Sequence, residues 1–327
     1  MTARGDDVLR VVCASVSLVP GSVMEELLAL REGVGAFNAT QGIRSAFLHA
    51  SGWLFQWHEG PAAGVEKALR IAQADQRHGR LRELHRSMGP ATLTDLLQIV
   101  TTHNQEKPTD VARRLYRLKQ SQALEASASP DELWMQLVAP AGLTAALGES
   151  GLVRRNVVAV TSGNTGAVDL VRSIGQQAGV PVTYQRFATG DPRSADVGAV
   201  YVDLPGAYSV TRVHALSRRS LAHPAVRLML RDLQCLLLLL GDRVDSTSAL
   251  AGDVGLLLKH LAVRPALRFA AATPDTSRVA RECLHTLSAD IAEIDVRHLM
   301  QAGPASFLGD LLGARQNAEN AVDSLLA

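Results

Sequence analysis

The sequence predicts an α+β domain followed by a larger, mostly parallel α/β domain. Two observations lead to this fold class. Residues 1–90 read as strand, helix, strand, strand, helix and strand, whereas residues 151–327 alternate strands and helices. The chain has 327 residues, of which 47% are hydrophobic and 20% charged, so two folded domains are expected. We place a helical connector at residues 91–150.

The first elements follow from local patterns. Leu9–Ser17 is apolar and rich in β-branched residues, which favours a strand. Ser22 can cap a helix that carries Glu25 and Glu26 in its first turn, where acids suit the helix dipole. We expect this helix to end near Gly33–Gly35, because glycine lowers helix propensity.

A hairpin and a second helix come next. Ile43–His49 and Trp53–His58 are predicted strands on either side of a short turn, and Pro61 starts a helix. A short strand at Leu81–His85 completes the order β-α-β-β-α-β. This order is the ferredoxin-like arrangement.

Residues 91–150 have helical patterns separated by breaks. The helix candidates are Ala91–Thr102, Pro108–Ala126 and Asp131–Ala146. We interpret them as a connector that could carry a dimerisation face.

The second domain has short apolar strands separated by helices, as in a doubly wound sheet. The predicted strands are Asn156–Val160, Val182–Phe187, Val197–Asp203, Cys235–Leu240 and Ala266–Ala272. The predicted helices are Gly166–Ala178, His223–Gln234, Ser248–Val263 and Asp275–Ala289.

Composition excludes several classes of function. The net charge of +1 gives no electrostatic case for nucleic acid. The three cysteines are far apart without a CxxC pair, so neither a disulfide framework nor a zinc site is predicted. The N-terminus lacks a signal-peptide core, and no apolar run approaches the ~20 residues that span a bilayer. We therefore expect a cytoplasmic protein without metal or membrane partners.

Three motifs lie within residues 8–88: AFNATQGI with Asn38, FQWHEG at Phe55–Gly60, and Asp75, Arg77 and His78 after the second helix. With these motifs, residues 8–88 resemble the BLUF family of flavin-binding blue-light sensors. The resemblance implies that an isoalloxazine ring lies between the two helices over the sheet.

The resemblance also implies cofactor-binding residues, with FAD as the possible cofactor. Gln56 matches the glutamine that hydrogen-bonds the ring, and Asn38 matches the asparagine at its polar edge. Both amides offer a donor and an acceptor. Arg77 and His78 match the pair near the phosphate end, and a guanidinium suits phosphate.

The chain departs from the family pattern in three places. The family's photochemistry needs a tyrosine on the first strand, where this chain has Ala14 or Ser15. A later strand carrying Trp or Met near the glutamine is expected to be missing. Arg44 and Ser45 replace a small pair on the second strand, and Arg44 is expected to crowd the ring.

Structural roles remain open for the same residues. Gln56 can be a core amide, Asn38 can be a left-handed residue ending the helix, and Arg77 with His78 can be a solvated helix end. His58 and Glu59 are adjacent in a strand, so they should point to opposite faces and not form a catalytic dyad.

Residues 155–290 resemble, more weakly, a small GTPase without its catalytic residues. Asn156–Asp169 reads as a strand, a Gly-containing turn and a helix start, but Ala167 and Val168 replace the Lys and Ser/Thr of the phosphate loop. Tyr201–Gly206 (YVDLPG) resembles the family's DxxG segment.

The preferred interpretation is a regulatory protein that is not an enzyme and acts through a protein partner. Its sensor domain would lack the photoactive tyrosine. One alternative is a working flavin photoreceptor in which Trp53 or Trp57 donates the electron. The other is a nucleotide-binding protein or enzyme that works through its C-terminal domain.

Overall fold

The computed structural model describes most of the chain and divides it into two compact units. It describes residues 7–104, 106–124, 129–137, 153–162, 166–206, 209–230, 233–261, 263–295, 301 and 303–312. The first unit combines Met1–Glu149 with Gln185–Val197, and the second combines Ser150–Tyr184 with Gly198–Ala327.

The first unit contains the predicted ferredoxin-like arrangement. Its elements are β1 (Val8–Ser17), α1 (Val23–Gln41), β2 (Arg44–Ala50), β3 (Trp53–Gly60), α2 (Ala62–Ala74) and β4 (His78–Gly89). The strands follow the spatial order β2-β3-β1-β4, and each neighbouring pair is antiparallel. The order β-α-β-β-α-β predicted from sequence is therefore confirmed.

Helix α1 begins as predicted but ends later. The Ser22 side chain accepts a hydrogen bond from the backbone N–H of Glu25. The helix passes through Gly33 and Gly35 and stops at Gly42, which has φ = 65°. The prediction of an end near Gly33–Gly35 is wrong, because two glycines cost only about 1 kcal/mol each in a helix whose apolar face is packed.

Residues 97–103 form a strand in place of the predicted helix at Ala91–Thr102. This strand, β5 (Leu97–His103), pairs in parallel with β2. Helices α3 (Pro108–Leu124) and α4 (Pro130–Leu137) follow. Residues 125–126 and 138–146, which were also predicted to be helical, lie outside the described residues.

The chain later returns to the first unit. Strand β7 (Thr183–Thr189) lies beside β5, and its residues from Gln185 onward belong to this unit. Ala188 packs with Leu97, Ile99 and Leu27 of α1 in one apolar cluster. The return segment therefore completes the core under α1.

The second unit has a mostly parallel sheet in the order β12-β11-β10-β6-β9-β8. Only β8 is antiparallel to its neighbour among the pairs described. Its strands are β6 (Val153–Thr161), β8 (Val197–Pro205), β9 (Ser209–Ser217), β10 (Leu233–Leu240), β11 (Ala266–Ala271) and β12 (Ile291–Glu293). The predicted fold class is confirmed, whereas β9 and β12 were not predicted.

Helices connect these strands. They are α5 (Gly166–Ala178), α6 (Pro224–Met229), α7 (Val244–Leu258), α8 (Pro274–His285) and α9 (Pro304–Leu312), with a short 3-10 helix at Arg218–Ala222. The apolar side chains of α5, β6, β9 and β10 form one buried cluster. In the described part of the chain, no helix combines the length and the apolarity needed to cross a bilayer.

Candidate functional site

A cavity of about 320 Å³ lies in the first unit between α1, α2 and the sheet. Its volume is within the range of small-molecule sites. Most of its wall is apolar, from side chains that include Leu27, Leu30, Val34, Phe37, Phe47, Leu54, Ala68 and Ile71. All four residues predicted to bind a cofactor, Asn38, Gln56, Arg77 and His78, line this cavity.

Asn38 lies in the last turn of α1 and is buried. Its Nδ2 donates to the backbone oxygen of Leu96 at 2.6 Å and to Oγ of Ser45 at 3.0 Å. The left-handed residue that ends the helix is Gly42, so the reading of Asn38 as that residue is wrong.

His58 is a site residue that the sequence analysis missed. Its Nδ1 lies 2.8 Å from Oγ of Ser45, and its Nε2 lies 3.3 Å from Oε1 of Gln56. Burial lowers the pKa of His58 to about 4, which keeps the imidazole neutral at physiological pH. The signal in the sequence was the spacing, because residues i and i+2 of a strand share a face.

Glu59 points away from His58, as predicted. Its Oε2 accepts hydrogen bonds from the backbone N–H groups of Thr92 and Leu93. The two side chains therefore make no catalytic dyad.

Gln56 is buried, and within the described part of the chain its side chain makes one hydrogen bond, with His58. Among the described residues, its Nε2 has no hydrogen-bond partner, although the residue lines the cavity. The amide oxygen of Gln56 therefore has a protein partner, while its NH₂ group keeps two donors for a ligand.

The register of β1 distinguishes Ala14 from Ser15, the two residues that the sequence offers at the family's tyrosine position. Cys13 is paired with Gln56, and Ser15 is paired with Leu54, so both lie on the face of the sheet that carries Gln56, although neither lines the cavity. Ala14 lies on the other face. Ser15 Oγ donates to the backbone oxygen of Leu54 at 3.3 Å. No tyrosine of the chain precedes Tyr116, so this face carries no phenol.

Arg77 is already paired with two carboxylates on the exposed part of the cavity wall. Its guanidinium lies 2.6 Å from Asp75 and 3.0 Å from Glu26. The hydrogen bond from Arg77 lowers the pKa of Asp75. One cation and two anions give this cluster a formal charge of −1, which opposes the approach of a phosphate.

His78 is the second member of the predicted phosphate pair. It lines the cavity, and burial lowers its pKa, so it adds no charge at neutral pH. Its Nδ1 is buried without a hydrogen-bond partner in the described part of the chain. The reading of Arg77 and His78 as a purely solvated helix end does not fit these positions.

Other residues singled out from the sequence lie away from the cavity. Trp57 is fully buried on the opposite face of β3, and its ring packs at 5.8 Å from that of Trp134 on α4. Trp53 donates its indole N–H to the backbone oxygen of Pro108. Arg44 is exposed and does not line the cavity, so the expected crowding is wrong.

Strand β5 lies where the sequence predicted a helix, and it carries no Trp or Met over Leu97–His103. The prediction of a helix is wrong, while the expected absence of a Trp or Met on a later strand agrees with β5.

The sequence motifs of the second unit have structural roles where the chain is described. Asp203, the acid of the DxxG-like segment, lies within β8 and makes a buried ion pair with Arg212 at 2.7 Å. The predicted turn at residues 163–165 lies outside the described residues. Among the residues described, no group of three or more His, Cys, Asp or Glu is placed to hold a metal ion.

The part of the chain that contains the cavity matches a known protein family. Residues 8–92 match the family described as "BLUF: Sensors of blue-light using FAD". This region is therefore similar in sequence to BLUF domains. It covers about a quarter of the chain and contains Asn38, Gln56, Arg77 and His78. No curated protein matches the chain.

Several solved structures show some likeness to this chain. The structure named "BlsA photo-activated state" has 18% identity, covers 40% of this chain and 96% of its own, and gives a TM-score of 0.28. A bacterial light-regulated adenylyl cyclase has 10% identity, with 63% and 78% coverage and a TM-score of 0.28. Klebsiella pneumoniae BlrP1, as a manganese and cy-diGMP complex, has 15% identity, 88% and 74% coverage, and a TM-score of 0.27.

Because these TM-scores are low, the similarity to BLUF proteins rests on the match of residues 8–92 alone. The sequence resemblance of this region to BLUF domains is confirmed. The resemblance of residues 155–290 to small GTPases has no support among these comparisons.

Proposed function

We propose that the first unit binds a flavin in the cavity and that the protein is a regulatory, signalling protein. One observation carries this proposal: Asn38 and Gln56 of the BLUF region both line one apolar cavity between α1 and α2. Apolar walls with a few placed amides suit a flat heterocycle with a polar edge.

Different residues of the cavity would bind different parts of the flavin. The apolar side chains of α1, α2 and the sheet would enclose the isoalloxazine ring, and Asn38 and Gln56 would orient its polar edge. The bound flavin would supply absorption of blue light. Since Arg77 is already paired with Asp75 and Glu26, the ring and not the phosphate arm should supply most of the affinity for FAD.

We propose further that this BLUF region does not carry out the family's tyrosine-dependent rearrangement. Ser15 stands on the cavity face of β1 where that reaction needs a tyrosine. A serine hydroxyl cannot replace a phenol as a donor of both electron and proton. The proposed sensor therefore responds to occupancy of the cavity by flavin.

The proposed output is contact with a protein partner, without catalysis by this chain. The packing of Trp57 against Trp134 supports a route from the sheet to α4. A homodimer through the helices after residue 91 remains one form of that contact. All three cysteines are free, which supports a place in the reducing cytoplasm.

Two alternatives have less support. A photoreceptor that uses Trp53 or Trp57 as electron donor has both indoles away from the cavity lining. A nucleotide-binding function of the second unit has no observation in its favour, and Asp203 is occupied by Arg212.

Absorption spectroscopy of the full chain with added riboflavin, FMN and FAD tests the proposal. We expect saturable binding with a structured flavin band, and no reversible red shift under blue light. Gln56→Leu should weaken riboflavin binding about tenfold, since one hydrogen bond is lost. The control Gln98→Leu, at a buried glutamine of β5 outside the cavity, should change it less than twofold.

Two outcomes would contradict the proposal. If none of the three flavins binds, the proposed flavin function is wrong. If illumination causes a reversible red shift, the chain does carry out photochemistry, and the alternative photoreceptor is favoured.

A further inference from the structure

Four polar side chains from α1, β2 and β3 form one hydrogen-bonded chain on the cavity wall. The order is Asn38, Ser45, His58 and Gln56, and it begins at the backbone oxygen of Leu96. Each group has a fixed number of donors and acceptors, and each buried proton needs an acceptor, so these contacts together determine the direction of each hydrogen bond.

The Leu96 carbonyl fixes the orientation of Asn38. A carbonyl oxygen only accepts hydrogen bonds, so the side-chain atom 2.6 Å away must be Nδ2. The second proton of Nδ2 points to Ser45 Oγ at 3.0 Å. Asn38 Oδ1 has no protein partner among the described residues, so it remains an acceptor for a ligand in the cavity that Asn38 lines.

Ser45 then fixes the tautomer of His58. A hydroxyl can accept two hydrogen bonds but donates only one. Ser45 Oγ accepts from Asn38, and among the described residues His58 Nδ1, at 2.8 Å, is the acceptor placed to receive its buried proton. A ring nitrogen that accepts carries no proton. The neutral imidazole therefore carries its proton on Nε2, and burial keeps it neutral by lowering its pKa.

His58 in turn fixes the amide of Gln56. The Nε2–H of His58 donates to Oε1 of Gln56 at 3.3 Å. Rotating the amide by 180° would set two N–H groups against each other in a buried place, which costs the hydrogen bond and leaves donors unpaired. The NH₂ group of Gln56 is thereby held for a ligand.

We propose that Ser45 and His58 are positioning residues that lock Gln56 with its NH₂ group available to the cavity. The site then selects a ligand that offers a hydrogen-bond acceptor to Gln56 and a donor to Asn38. Heterocycles with an imide-like edge have this pattern. The inference deepens the proposed flavin function and rests on it for the identity of the ligand.

The lock has a consequence for the motion of Gln56. Reorienting the amide requires His58 to change tautomer, which in turn requires Ser45 to give up its bond to Nδ1. The Gln56 amide can therefore reorient only if the hydrogen bonds of His58 to Gln56 and to Ser45 rearrange at the same time. Gln56 should therefore occupy one orientation both with and without ligand.

Nitrogen NMR of the full chain, labelled with ¹⁵N-histidine, tests the lock without any ligand. His58 is identified as the signal lost in His58→Gln. We expect a protonated, pyrrole-type Nε2 and an unprotonated, pyridine-type Nδ1. Ser45→Ala removes the donor to Nδ1 and should move these shifts toward those of a mixture of tautomers. His85→Leu, at a His–Ser pair outside the cavity, should leave them unchanged.

Riboflavin binding provides the second readout. His58→Leu leaves Gln56 free to adopt both orientations, so the Kd should rise about twofold or more. The absorption maximum of bound riboflavin should also shift, because its hydrogen bonding changes. His58→Gln can accept from Ser45 and donate to Gln56, so it should restore both the Kd and the spectrum.

The outcomes separate this inference from the proposed function. If no flavin binds, the proposed function fails, while the NMR of the ligand-free chain still tests the lock. A protonated Nδ1 or a mixture of tautomers in the unmodified chain would overturn the lock, even if flavin binds. Equal spectra for His58→Leu and the unmodified chain would overturn its role in ligand selection.

Discussion

At the scale of single residues, the neutral imidazole of His58 links the cavity to acid stability. Its pKa is about 4 in the folded protein, compared with 6.5 for an ordinary histidine, because it is buried. Between these two values the unfolded chain binds more protons than the folded chain. The free energy of unfolding therefore falls as the pH is lowered from 6.5 to 4.

This difference predicts an effect of His58→Gln on the pH profile. Between pH 7 and pH 4, protonation of His58 in the unfolded chain should lower the free energy of unfolding of the unmodified protein by about 3 kcal/mol. His58→Gln lacks this group, so its free energy of unfolding should fall less over the same interval. His49 and His214, whose pKa values are also lowered, contribute equally to both proteins. Urea unfolding at a series of pH values measures the difference, and parallel profiles would contradict it.

The charges around Arg77 predict a second residue-scale effect. Glu26→Gln removes one of its two carboxylate partners, which should favour flavins that carry phosphate. The affinity for FMN relative to riboflavin should rise about fivefold at low salt, from about 1 kcal/mol of Coulomb energy. High salt should reduce the gain, because this part of the cavity is exposed.

Glu25→Gln is the matched control for this prediction. It removes the same charge from the same helical turn at a residue that does not line the cavity. Isothermal titration with FMN and riboflavin gives both ratios. Equal ratios for the two variants would mean that Glu26 does not restrain Arg77.

The sequence was sufficient for part of the site. A family motif placed Asn38, Gln56, Arg77 and His78 together, and all four line one cavity. His58 was missed because it was compared with its neighbour Glu59 and not with Gln56 two residues away. The pairing of Arg77 with Glu26 joins residues 51 apart, so no local pattern could indicate it.

At the scale of elements, the position of α2 depends on Gly64. A Cβ added there would lie 2.8 Å from the backbone oxygen of Gln41 and 2.8 Å from Cγ2 of Ile43. Gln41 is the last residue of α1, and Ile43 directly precedes β2. The close approach of α2 to this junction sets one wall of the cavity.

Gly64→Ala should therefore destabilise the first unit by about 1–3 kcal/mol, through overpacking. The control Gly33→Ala lies in α1, where an added Cβ meets nothing within 4 Å, and it should be neutral or stabilising by up to about 1 kcal/mol. Thermal unfolding followed by circular dichroism compares the two variants. The prediction is wrong if both have the same effect.

Strand β5 shows why one element could not be predicted. Leu93, Leu96, Leu97 and Val100 have the spacing of a helix face, and the sequence predicted a helix over Ala91–Thr102. In the structure, Leu97–His103 is buried beside β2 by parallel pairing. A partner about 50 residues away in sequence decided the conformation, and propensity in a short window does not contain that information.

At the scale of the whole molecule, the first unit is discontinuous in sequence. Its Gln185–Val197 segment follows 35 residues that belong to the second unit, Ser150–Tyr184. Ala188 packs on Leu97, and Gln185 Nε2 donates to Thr102 Oγ1 at 3.2 Å. A domain boundary drawn at residue 150 therefore separates parts of one core, which composition along the chain could not reveal.

A fragment of residues 1–149 should be less stable than the same unit in the full chain. It lacks β7 and exposes Leu97 and Ile99, so we expect a lower Tm and binding of a hydrophobic dye. A peptide of residues 183–197 should raise the Tm of the fragment. A scrambled peptide is the control, and equal Tm values for fragment and full chain would contradict the shared core.

The placement of Trp57 against Trp134 gives the molecule an optical property. All three tryptophans of the chain, Trp53, Trp57 and Trp134, lie in the first unit. Trp57 is separated from the cavity only by the thickness of one sheet, since Gln56 and His58 beside it line the other face. Tryptophan emission therefore reports on this unit alone, and energy transfer to a flavin would quench it. Intrinsic fluorescence becomes a label-free titration of the cavity.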